Sequence, residues 1–148
     1  MVSSELHVDI SRPKRDVWAF MTKVENVTLW WSGILKVATT NGMLEGSQLS
    51  LTTLNMGREF DFTAVITDND GGSTLAAESQ QGPITFETRY TLEDIEGGTR
   101  VHFSNHINTH AVFHLAEGVL QEVSDARYKA DLVRLKHVLE SAKVSKLS

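Results

Sequence analysis

No cysteine occurs in the 148 residues, so disulfides, thiolate metal sites and cysteine nucleophiles are all excluded. Only two prolines, Pro13 and Pro83, interrupt the chain, which leaves long regular elements free to form. No apolar run approaches the roughly 20 residues of a membrane span, and residues 1–10 lack the apolar core of a signal peptide. Clustered positive charge is also missing. Lys14-Arg15 is the only adjacent basic pair, the formal net charge is -5 and the pI is about 5.6. A polyanion partner requires a concentrated basic face, so nucleic acid is excluded. No glycine-rich phosphate loop precedes a helix, because Gly97-Gly98 has the setting of a hairpin turn, and no nucleophile-elbow serine is found. The expectation is a cytoplasmic protein with no cofactor, no metal and no membrane span.

What is present is an ordinary globular balance, 41% apolar and 22% charged, in a length that suits one domain over residues 1–148. Leu6, Val8 and Ile10 alternate with polar neighbours and predict a half-buried strand. Pro13 stops it and opens a short amphipathic helix over 13–23, since Val17, Phe20, Met21 and then Val24 follow at helical spacing. A second short helical piece over 27–31 carries the Trp30-Trp31 pair. From Ile34 the period changes to two. Six further strands follow, separated by Asn41-Gly42, Asn55-Met56-Gly57, Asn69-Asp70-Gly71-Gly72, Gly82-Pro83 and Glu96-Gly97-Gly98. Hairpin connections make this run antiparallel.

The last segment, 112–142, is the one long helix. Ala116, Val119, Leu120, Val123, Ala126, Ala130 and Val133 are taken as one broad apolar stripe, continued by Tyr128, Leu132, Leu135, Leu139 and Ala142. Such a helix is marginal alone and must bury its stripe on the sheet encoded before it. Gly118 and the alanines admit two readings: close helix–sheet packing, or a helix standing off the sheet and leaving room for a ligand. The fold class is therefore α+β: a seven-stranded antiparallel sheet, two short helices after strand 1, and a long C-terminal helix.

Three stretches carry a resemblance. Val8-Asp9-Ile10-Ser11-Arg12-Pro13 followed by Val17-Trp18-Ala19-Phe20, then Leu29-Trp30-Trp31-Ser32-Gly33-Ile34, then Gly97-Gly98-Thr99-Arg100-Val101 resemble, in order and spacing, the START-like (SRPBCC) superfamily, in its polyketide cyclase/dehydrase-type branch. Ser32 stands where that branch usually has proline. The resemblance covers almost the whole chain and implies a helix-grip fold, with a curved sheet wrapped around the C-terminal helix and a cavity between them. It implies binding or carriage of a lipid, hormone or aromatic molecule, a cyclase or dehydratase activity, or a chaperone-activator role. It supplies no catalytic residue.

The residues themselves rank these. Inward strand positions hold no Asp, Glu or His, and acid–base chemistry in a cavity needs such a group. Binding of a hydrophobic or aromatic small molecule, by a monomer or homodimer, is thus the leading expectation. The alternative is a cyclase in which Tyr90 and Arg58 polarise a carbonyl. The expected cavity walls are Phe60, Phe62, Phe86, Tyr90, Phe103, Leu120 and Val123, with Trp31 at one end and Arg58, Thr88 and Asn105 as polar contacts. Thr88 and Asn105 could equally satisfy one another. His102 and His106 lie four apart on a strand, about 13 Å, and are assigned to a solvated outer face. His110 and His114 sit at the strand-to-helix junction, where a metal pair would need Glu117.

Overall fold

The computed structural model describes residues 2–55, 57–79, 84–109 and 117–141. Strand β1 (Val2–Ile10) leads into helix α1 (Lys14–Met21), a 3-10 turn (Val24–Asn26) and the single-turn helix α2 (Val27–Trp30). Strands β2 (Ile34–Thr39), β3 (Gln48–Asn55), β4 (Arg58–Asn69), β5 (Thr74–Ser79), β6 (Ile84–Ile95) and β7 (Gly98–Thr109) follow, and helix α3 (Glu117–Ser141) ends the fold. All seven strands form one antiparallel sheet in the order β1-β7-β6-β5-β4-β3-β2. Curved around the long helix, with the short helices after β1, this is the helix-grip arrangement.

Register follows from alternation. Leu49, Leu51 and Thr53 pair with Ala64, Phe62 and Phe60, and Tyr90, Thr88 and Leu92 pair with Phe103, Asn105 and Val101. These residues share the concave face, while Arg89, Glu93, Arg100 and His102 share the convex one. Two bulges, at Ile34/Lys36 and Ile66/Asp68, add the local bend that a wrapped sheet requires. Where β1 closes against β7, a Cβ on Gly98 would lie 2.1 Å from the Ile10 carbonyl oxygen, so only glycine fits. The Asp70 turn is held by its carboxylate, whose Oδ1 accepts from the amides of Gly72, Ser73 and Thr74. Those three donors hold the Asp70 carboxyl below the usual carboxylate range.

The core has two parts. One joins Val17, Phe20 and Met21 of α1, Trp30, and Leu132, Leu135 and Leu139 of α3 to Tyr90, Leu92, Val101 and Phe103. The other lies under β3–β5, with Val27, Met43, Leu49, Leu51, Ala64, Ile66 and Leu75, and draws on no described side chain of α3. Among the described residues, the α3 side chains pack on the β1–β7–β6 half of the concave face, while Val27, Met43 and the partly buried Trp31 pack with the β3–β5 half.

This placement corrects the expected stripe. Val123 is 61% exposed and Val133 52%, and Ala126 and Ala130 are exposed too. At about 100° per residue, Ser124, Tyr128, Leu132, Leu135 and Leu139 point one way. Val123, Ala126, Ala130 and Val133 point the opposite way. The sequence thus carries two apolar rows on opposite sides of α3, and the leucine-rich row is buried. Residues 112–116 and 142 of the expected helix, the junction His110 and His114, and the side chain of Leu120 lie outside what is described.

Leu135→Ala is expected to cost about 2–5 kcal/mol in urea unfolding, and Val133→Ala no more than about 0.5 kcal/mol. Comparable losses at both positions would mean that α3 is rotated about its axis so that the other row meets the sheet.

Candidate functional site

Between the two core parts lies a cavity of about 30 Å³, lined by Trp31, Met43, Leu51, Ala64, Ile66, Leu75, Ala76, Ala77, Phe86, Thr88 and Tyr90. That is room for about one water, in a lining that is almost wholly apolar. Beside it, Phe62 and Phe86 meet edge to face at 5.9 Å, both half-buried. Phe60, on the same face of β4, is 49% exposed. A row of phenylalanines thus runs from solvent to the cavity wall.

Of the expected lining residues, Trp31, Phe86, Thr88 and Tyr90 border this space. Phe62 adjoins it through Phe86. Phe103 lies deeper, its ring 5.2 Å from Tyr90 and 4.9 Å from Tyr128. Three assignments are corrected. Arg58 and Phe60 are exposed because the β3–β4 hairpin projects beyond the core, and residues 58–61 are exposed in succession. Val123 faces away from the sheet. Met43 belongs to a loop without period, so nothing in the sequence marked it. Leu51, Ala64, Ile66, Leu75 and Ala77 were legible as inward positions, but their small or aliphatic side chains do not distinguish a cavity wall from ordinary core.

The polar residues divide into satisfied and unsatisfied groups. The Thr88 hydroxyl donates to Asn105 Oδ1, and Asn105 Nδ2 donates to Tyr128 Oη at 2.9 Å. Nearby, Ser4 donates to Asp125, and Gln121 bridges the Ser3 carbonyl and Asp125. These bonds tie α3 to β1, β6 and β7, so Thr88 and Asn105 largely satisfy one another and the helix. By contrast, the indole N–H groups of Trp30 and Trp31 are both buried without a hydrogen-bond partner. An orphaned buried donor costs about 1–3 kcal/mol.

A clasp closes over the aromatic end. Arg127 donates from Nη2 to the Ser32 carbonyl at 2.8 Å and from Nε to the Ser32 hydroxyl at 3.2 Å. The Ser32 amide donates to Asp131 Oδ1 at 3.1 Å. Gly33 follows with φ of +77°, and a Cβ there would lie 3.2 Å from both Arg127 Nη2 and the Leu54 carbonyl oxygen, so the loop is built for glycine. Asp131 is only 9% exposed. Burial raises its carboxyl pKa despite the Ser32 bond and the nearby Arg127 and Arg134. Tyr90 is pushed up far more strongly, first by burial and then by the Asp131 charge.

A larger concavity of about 410 Å³ lies on the convex face, bordered by Glu5, His7, Arg89, Thr91, His102 and Ser104. It is an open surface on which Arg89 pairs with Asp68 at 3.1 Å and His102 Nε2 lies 3.0 Å from Glu93 Oε1. His102 and His106 are both exposed there, as expected. Among the described residues no group of three or more metal-ligating side chains comes together, and no helix is long and apolar enough to cross a membrane.

The chain matches the family described as polyketide cyclase/dehydrase and lipid transport over residues 1–140. No curated protein matches it. Among solved structures it is similar to Ara h 8.0201, at 16% identity with 95% of this chain and 98% of that one covered and a TM-score of 0.73. TTHA0849 from Thermus thermophilus is similar at 16% identity, 93% and 95% coverage and a TM-score of 0.75. The di-domain ARO/CYC BexL from the BE-7585A biosynthetic pathway is similar at 13% identity and a TM-score of 0.76, over 93% of this chain but 46% of that one. At such identities these likenesses establish the fold alone.

Two outcomes test the internal polar groups. Asp131 has a native pKa above its unfolded value, so the folded state binds the proton more tightly. Its ionisation therefore removes stability as pH rises from the unfolded pKa, about 3.9, through the native one. Asp131→Asn keeps an acceptor for Ser32 and is expected to gain more over wild type at about pH 7 than at about pH 4. An equal difference at both pH values would show that the carboxylate loses no hydration on folding. Tyr128→Phe strands the Asn105 amide donor and is expected to cost about 1–3 kcal/mol in urea unfolding; a cost near zero would mean that water replaces the hydroxyl.

Proposed function

From a chain that belongs to the polyketide cyclase/dehydrase and lipid transport family, we propose a protein that binds or carries a hydrophobic, ring-bearing small molecule between helix and sheet. The observation that carries this reading is the apolar cavity beside the half-covered concave face, approached by Phe60, Phe62 and Phe86. Pockets for small molecules run to roughly 300–1,000 Å³, so the 30 Å³ space is the closed end of a site that widens when occupied. Widening is local. The β3–β5 half of the core draws on no described α3 side chain, so the roof over it can shift while Leu132, Leu135 and Leu139 stay packed. Of the expected residues, Trp31, Phe62, Phe86, Thr88 and Tyr90 form this site, with Leu51, Ala64, Ile66, Leu75 and Ala77 added.

A cyclase or dehydratase is the second reading, favoured by one feature: Asp131 is a buried carboxylate whose charge reaches Tyr90. Its oxygen accepts from the Ser32 amide, and Asp131 is not among the residues lining the cavity. Carriage therefore ranks first.

A thermal-shift screen with flavonoids, polyketide-like aromatics and fatty acids tests the reading. A ligand at about 100 times its dissociation constant is expected to stabilise the fold by about 2.7 kcal/mol. Ala77→Leu fills the closed end and is expected to abolish that shift in a protein that still folds. No shift with any class, or an unchanged shift in Ala77→Leu, overturns the site.

A further inference from the structure

On the convex face, away from the cavity, we infer that His7 and His102 form a two-histidine site for one divalent transition-metal ion of the zinc type, with Glu93 orienting His102 and water completing the coordination.

The inference starts from register. His7 of β1 and His102 of β7 are direct cross-strand partners. The Ser3 amide and carbonyl both bond to Gln121, and the Asp9 carbonyl accepts from Lys136, so the odd-numbered residues of β1 turn their backbone groups away from β7. His7 shares that parity, and the register between the two strands runs unbroken. His7 and His102 are therefore a non-hydrogen-bonded pair, the kind whose side chains stand closest. Their ring centroids are 6.2 Å apart. Two imidazoles on one tetrahedral ion, with nitrogen–metal distances of about 2.0–2.1 Å, put their centroids roughly 5 Å apart. Both rings are exposed, so turning about their side-chain bonds closes the difference.

A second observation is the partner of His102. Its Nε2 lies 3.0 Å from Glu93 Oε1. A carboxylate only accepts, so Nε2 carries the proton and the neutral ring keeps its bare lone pair on Nδ1. A carboxylate on the far nitrogen is the usual support of a metal-binding histidine, fixing its tautomer and its orientation. Charge also favours a cation. Asp9 pairs with Arg100, Arg89 with Asp68 and Lys136 with Glu140. Glu5 borders the same concavity as the two rings, so Glu5 and Glu93 add negative charge beside them. Imidazole nitrogen selects zinc-type transition ions over magnesium and calcium, which take oxygen ligands. Two protein ligands leave the other positions to water, for which the open concavity has room. An ion held there joins the edge strand β1 to β7.

The experiment titrates Zn²⁺, with Mg²⁺ as the control, into the full chain. The imidazole signals of the six histidines are followed in a proton–carbon correlation spectrum and assigned through bonds. Zn²⁺ is expected to move the His7 and His102 signals together and to raise the thermal midpoint, while Mg²⁺ does neither. His7→Gln and His102→Gln are each expected to lose this binding at the zinc concentration that saturates the wild type. His137→Gln, on an exposed position of α3, is expected to leave it unchanged. Glu93→Ala is expected to weaken it by about tenfold or more. Zinc that moves only other histidines, single variants at 7 and 102 that bind as the wild type does, or no binding at all overturns the site. Unchanged affinity in Glu93→Ala overturns the orienting role given to Glu93. The wild-type imidazole signals decide for or against the site even if a variant fails to fold.

Discussion

The fold depends on how one helix meets a sheet that is wider than it. A seven-stranded sheet leaves a concave apolar face that must be covered, and α3 presents one narrow row, Leu132, Leu135 and Leu139, to do it. Each of these leucines, taken fully out of water, contributes roughly 1.5–3 kcal/mol. That row seats against β1, β7 and β6, where Phe103, Val101 and Leu92 receive it. Toward the N-terminus of the same face Gln121, Ser124 and Asp125 are polar, and Gln121 and Asp125 meet β1 through hydrogen bonds to Ser3 and Ser4. The helix is anchored by leucines at one end and by side-chain hydrogen bonds at the other. Both anchors lie on the same half of the sheet, and the small apolar cavity lies beside the other half.

Polar groups inside the grip sort by whether the fold itself satisfies them. Thr88, Asn105 and Tyr128 close on one another, as buried polar groups usually do. Asp131 is committed to the Ser32 amide. Among the described residues the two indole N–H groups are the exception. The fold tolerates their cost inside an aromatic cluster in which Trp30 also packs edge to face on Tyr90.

Much of the architecture was legible in the sequence, because alternation at period two names the inward residues of each strand without any knowledge of their partners. Leu49, Leu51, Ala64, Ile66, Tyr90 and Phe103 all fall where alternation puts them. Alternation does not give depth, however. Phe60 and Phe62 share a face, but only the hairpin's reach beyond the core makes the first half-exposed. Helical period failed for a different reason. Val123, Ala126, Ala130 and Val133 repeat as regularly as the leucine row, and only the sheet's position decides which row is buried. The Ser32–Arg127–Asp131 clasp was out of reach of sequence, since it joins residues 95 and 99 positions apart.

That clasp bears on how a closed site could open. The loop after α2 carries Trp31 at the cavity wall, and three hydrogen bonds tie it to α3, two donated by Arg127 to Ser32 and one by the Ser32 amide to Asp131. Each involves a charged group, a kind of bond worth about 1.5–3 kcal/mol, and exposure reduces the two made by Arg127. Arg127 is exposed, so water can take over its bonds as they break. Gly33, in the left-handed region and bonded through its carbonyl to the Leu54 amide at 2.7 Å, fixes the far side of the loop to β3. Trp31 therefore sits between an attachment to the sheet and an attachment to the helix. Trp31 packs against both parts of the core and lines the cavity, so its position links the leucine-anchored half of the grip to that space.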